Sequence, residues 1–138
     1  MRVVLAVGVL CGACGGDVGG PITRIGRLTE CAVPPDAVRV HDHLEGDAET
    51  FVMFAKVVIP KGRMEAFVAS CGFQAAQLQP GYDHHEMRPD EPPRWWNIPD
   101  RQLGRGARRE AEGFASELVS VERDTDFAIY VRSSGRAP

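Results

Sequence analysis

The sequence predicts an α+β domain of two layers, an antiparallel sheet of about four strands with one main helix packed on one face, in the order β-β-α-long loop-β-β. Three observations carry this. An alternating segment near residue 40 is followed by a nearly unbroken apolar run from Phe51 to Ile59. Met64, Phe67, Val68 and Cys71 recur at the spacing of a helix. Near the end, two segments rich in β-branched and aromatic residues flank a short polar turn.

Val38, Val40 and Leu44 project to one side of an extended chain while Arg39, His41, His43 and Glu45 project to the other, as in a half-buried strand. Glu45-Gly46-Asp47-Ala48-Glu49 is the polar turn after it. The run from Phe51 to Ile59, broken only by Lys56 and closed by Pro60, has the pattern of a central strand covered on both faces. Pro60 suits the entry to a helix and Gly72 the position just past its end. Residues 73–106 hold five prolines and little periodicity, which predicts a long Pro-rich loop; a short helix from about Gln102 to Glu112 is weakened by Gly104 and Gly106. Phe114–Arg123 and Phe127–Ser133 read as a closing hairpin turned at Asp124-Thr125-Asp126.

At 138 residues the chain has the size of one domain. Its net charge of −3 offers no broad attraction to nucleic acid, so no nucleic-acid partner is expected. Fifteen glycines and ten prolines require linker or loop somewhere. The N-terminus supplies part of it. Met1-Arg2, the apolar run Val3–Leu10 and the small residues after it are the parts of a secretory signal peptide, too short to span a bilayer. Gly12-Ala13 before Cys14 resembles the lipobox of bacterial lipoproteins, although Cys11 stands where that family prefers Leu and Leu10 is displaced by one. The resemblance implies a signal peptide of residues 1–13, lipidation of Cys14, and a lipid-anchored flexible tether over 14–33 that begins Gly15-Gly16-Asp17. The remaining organisation is a single domain over 34–133 and a polar tail over 134–138. The implied location is the bacterial cell envelope, on the periplasmic or extracellular side, with a soluble secreted protein as the alternative.

Once Cys11 leaves with the leader and Cys14 carries lipid, Cys31 and Cys71 remain as an even pair in an oxidising compartment, and a disulfide between them is expected. Two buried thiols are the competing reading, because Cys71 lies on the apolar stripe.

The strand ending at Pro60, the helix ending Phe67-Val68-Ala69-Ser70-Cys71-Gly72-Phe73, the later Pro93-Arg94-Trp95-Trp96-Asn97-Ile98-Pro99 and the closing strands resemble a diffuse group of small secreted or lipid-anchored bacterial proteins of unknown function with a Trp-Trp-x-x-Pro-like segment. The likeness runs from about Pro34 to Ser133. It implies the architecture and the envelope location and brings no catalytic residues.

Two constellations carry chemistry. Trp95 and Trp96, with Tyr82 in the same loop, would offer an apolar platform to a small ligand or an envelope protein; the competing role is to plug the open end of a small core. His41 and His43, two apart on one strand, could share a zinc ion with His84 or His85, with Glu86 or Asp42 as base, which makes a small zinc-dependent hydrolase the alternative function. No HExxH spacing supports it. Arg101, Arg105, Arg108 and Arg109 form the one basic cluster, diluted by Asp100, Glu110 and Glu112. No nucleophile elbow or phosphate loop occurs, and Asp90-Glu91 carries no geometry for glycosidic chemistry. The leading expectation is therefore a non-catalytic, lipid-anchored binding domain without cofactor, and a purely structural envelope component is a third reading.

Overall fold

The computed structural model describes residues 20–47, 49–99 and 104–136. The predicted signal peptide and Cys14 lie outside them. Six strands form one antiparallel sheet: β1 (Arg39–Gly46), β2 (Thr50–Pro60), β3 (Gln79–Pro80), β4 (Gly104–Ala111), β5 (Phe114–Glu122) and β6 (Asp126–Arg136), in the spatial order β1-β2-β6-β5-β4-β3. Among the described residues two short helices accompany it, α1 (Pro21–Thr29) and α2 (Met64–Ser70).

This corrects the expected two-layer α+β fold with about four strands and one main helix: the protein is mostly β. The predicted helix after the long loop is the strand β4. Its residues Gly-Arg-Gly-Ala-Arg-Arg-Glu-Ala carry no β-branched side chain, which hides a strand from pattern reading. Gly104 and Gly106, two apart, were its signal, because glycines in a strand mark close approach of other groups. A Cβ on Gly106 would stand 2.8 Å from the Tyr82 ring, and one on Gly104 3.0 Å from Val119. The main helix shrinks to the seven residues of α2, entered through one 3-10 turn at Lys61–Arg63. Within the stretch expected as a tether, Pro21–Thr29 is helical, with Pro at the first turn and Ile25 and Leu28 buried. Ser134–Arg136, expected as tail, complete β6 against β2.

The strand registers sort side chains onto two faces. One face presents Ala55, Val57, Ile59, Leu118, Ile129 and Val131 to Ile25, Phe67, Val68, Phe73 and Leu78, and the two helices lie on it. The other presents Phe54, Val58, Val119, Val121, Ala128 and Tyr130 to Met87 and Trp96 of the Pro-rich loop. Covered on both sides, β2 and β6 bury nearly every residue of their middle sections, which is why β2 reads as continuously apolar.

Cys31 and Cys71 are joined in a disulfide across 40 residues, Cα to Cα 4.2 Å, and both are buried in the helix-side core. It staples the chain after α1 to the end of α2. Ser70 supports the same junction, accepting a hydrogen bond from Ala32 N at 2.8 Å. Arg109 of β4 clamps it from the sheet. Its Nε donates to Cys71 O at 3.1 Å, its Nη2 to Glu30 Oε1 at 2.8 Å, and its guanidinium lies over the rings of Phe73 and Phe114. Gly72, at φ +90°, makes this possible, because a Cβ there would stand 2.4 Å from Arg109 Nε.

Candidate functional site

The loop-covered face holds the polar groups that a core must account for. Trp96 is only 8% exposed and is seated edge-on against Phe54 and Tyr130, with ring centroids 5.3 and 5.4 Å away. Its Nε1 donates to Met87 O at 2.9 Å, so the indole is a satisfied core plug that closes the loop onto the sheet. Trp95 is half-buried and lies parallel to His41 of β1, 5.1 Å between centroids and 11° between planes. Of the two indoles, Trp95 retains partial exposure. Tyr82 lies across Gly106, its hydroxyl donating to Glu117 Oε2 at 2.6 Å. Burial and that carboxylate push the phenol well above its usual range.

The histidines are not brought together. His43 Nε2 is 3.0 Å from Glu45 Oε2, His84 Nε2 is 3.1 Å from Pro99 O, and exposed His85 pairs with Asp83 at 2.7 Å. His41 is occupied by Trp95 stacking. Among the described residues no group of three or more His, Cys, Asp or Glu could hold a metal ion. Of the basic cluster, Arg105 and Arg108 join Arg109 on β4: Arg105 donates to Leu78 O, and Arg108 reaches Glu110 and Glu117. Arg101 lies outside the described residues.

Sequence reasoning missed the centre of the site. Lys56 is 8% exposed, on β2 opposite His41 of β1 and Tyr130 of β6. Its Nζ donates to Asn97 Oδ1 at 2.8 Å and stands 5.2 Å from the centre of the Tyr130 ring; the Tyr130 hydroxyl donates to the same Oδ1 at 2.9 Å. No carboxylate among the described residues pairs with this ammonium. Burial, then Arg123 and Arg39, lower its pKa below the ordinary lysine value. Burial raises the Tyr130 phenol to about 12. Burial, then Lys56 and Arg39, also lower the His41 imidazole. The clue was the lone charge in the run Phe51–Ile59; its partner Asn97 is 41 residues away, beyond any local pattern.

Beside Asn97 opens a pocket of about 340 Å³. Met87, Pro92, Trp96 and Ile98 give it apolar walls, and His84, His85, Arg88 and Asn97 give it polar ones. Among the described residues no carboxylate lines it. Arg88 is exposed and has no acidic partner among the described residues. The arrangement can hold a small molecule with an apolar body and a negative end, Asn97 linking the pocket to the buried ammonium.

No protein-family model matches the chain, and no curated protein and no solved structure matches it either. Among the described residues no helix is long and apolar enough to cross a membrane.

Proposed function

We propose that the protein is a non-catalytic binding domain of the bacterial cell envelope, held to its membrane by lipid on Cys14, and that it captures a small organic anion in a pocket of the Pro-rich loop. The observation that carries the ligand class is the pocket beside Asn97, apolar at Trp96 and Ile98, cationic at Arg88 and, among the described residues, without a lining carboxylate. Trp95 and Tyr82 lie outside its lining: Trp95 forms a stacked rim on His41, and Tyr82 pins the loop to the sheet at Glu117. The envelope location rests on the leader and the Gly12-Ala13-Cys14 sequence.

The test is an indole-fluorescence titration of the full chain with octanoate, with 1-octanol as the uncharged control. Saturable change with octanoate alone is expected. Arg88→Ala should weaken it roughly tenfold, the loss of one charge-assisted contact. No saturable response to octanoate, or an equal response to octanol, overturns the anion reading. In the same cells, Cys14→Ser should move the protein from the membrane fraction to the soluble one; unchanged partition overturns the lipid anchor.

A further inference from the structure

We propose that the chain forms a homodimer through β1, two copies pairing edge to edge and antiparallel about a two-fold axis at Asp42, so that their sheets become one. The sheet has two edges, and they are treated differently. At one, β3 and its Pro80 pair with Arg105 and Gly106 of β4. At the other, all eight residues of β1 are in register with β2, and among the described residues no strand lies on its outer side. Proteins blunt lone edges with short strands, charged side chains or proline; β1 is long, has neither lysine nor proline, and carries its opposite charges, Arg39 and Glu45, towards its two ends.

Exposed apolar groups gather at the same edge. Among the described residues the exposed large hydrophobics are Val38, 60% exposed, Leu44, 49%, and Ile22, 42%. Val38 directly precedes β1 and Leu44 lies within it. Ile22 sits one turn before buried Ile25 in α1, the helix whose Arg24 grips Asp42 of β1 through Nε at 2.6 Å and Nη2 at 3.0 Å.

The strand is also its own complement. With the axis at Asp42, Val40 falls opposite Leu44 of the second copy, Arg39 opposite Glu45, and His41 opposite His43. Cross-strand apolar and opposite-charge pairs of this kind favour one register. Arg39 has no acidic partner among the described residues, while Glu45 accepts from His43 and from Asp90 N through Oε2 alone, which leaves Oε1 to receive it. The one like-charge pair, Asp42 with itself, is offset by Arg24 in each copy. Backbone parity agrees. Asp47 N bonds Thr50 O at 2.9 Å, and counting back along the register makes Arg39, His41, His43 and Glu45 the residues that bond β2. Val40, Asp42 and Leu44 then turn their N–H and C=O groups outward, and the Asp42 axis pairs these three with one another.

The test is sedimentation velocity of the full chain bearing Cys14→Ser, so that no acyl chain adds mass. A dimer is expected for this parent. Arg39→Glu should weaken it roughly tenfold by setting like charges across the axis, and Glu45→Arg likewise. Combining Arg39→Glu with Glu45→Arg should restore it, an outcome that misfolding would not produce. Circular dichroism reports the fold of each variant. A parent that sediments as monomer overturns the proposal, as does a dimer that neither single charge change weakens.

Discussion

The two faces of the sheet are covered by different means, and the contrast separates scaffold from site. On one face, two short helices present apolar side chains, and the disulfide and Arg109 lock them down. On the other, the cover is irregular chain held at a few points: Trp96 in its aromatic seat, Tyr82 on Glu117, and Asn97 bridging Lys56 and Tyr130. The first arrangement maximises dry contact. The second keeps a charge buried beside a neutral amide, which costs stability.

Breaking the helix-side staple should have the largest effect. Replacing Cys31 and Cys71 together by Ser should cost about 4 kcal/mol, the loop-closure entropy of 40 residues, read from urea unfolding. The loop-side equivalent is Trp96→Ala, expected to cost about 3 kcal/mol for a large aromatic removed from a packed seat. Trp95→Ala should cost less, about 1 kcal/mol, because that indole is only partly buried. Equal losses from the two indoles would erase the distinction between plug and rim.

Lys56 sharpens the comparison with the opposite sign. Lys56→Met removes the buried ammonium and leaves Asn97 Oδ1 its bond from Tyr130, so the variant should gain about 1 kcal/mol at neutral pH. In the parent, the folded chain gives up this proton at lower pH than the unfolded chain does. Stability therefore rises as pH climbs toward 10.5, and the rise should vanish in Lys56→Met. The smallest effect belongs to His41. Its lowered pKa means that the unfolded chain takes the proton first as pH falls through 6.5, so stability should drop there. The drop should be absent in His41→Gln, followed by thermal unfolding between pH 5 and 7.5.

What was legible in the chain depended on whether neighbours in sequence shared a fate. The apolar run of β2, the stripe Met64, Phe67, Val68 and Cys71, and the closing hairpin announce themselves because each buries a regular set of side chains. β4 did not, since small and charged residues fill it and two glycines make room for Tyr82 and Val119. α1 was hidden by the glycine-rich segment before it. The histidines looked like a cluster because spacing along β1 says nothing of the partners each ring finds across space: Trp95, Glu45, Pro99 and Asp83. The site itself joins β2 to the loop through Lys56 and Asn97, a contact that only the fold creates.

The direct test of the division into scaffold and site is amide hydrogen exchange on the full chain. The Met87 and Trp96 amides, bonded within the loop to His84 O and Pro93 O, should exchange on the order of a hundredfold faster than the Phe73 amide bonded to Val68 O beside the disulfide. Octanoate should slow the loop amides and leave Phe73 unchanged. Equal protection of the two covers, untouched by octanoate, would contradict the division into a helix-side scaffold and a ligand-binding loop.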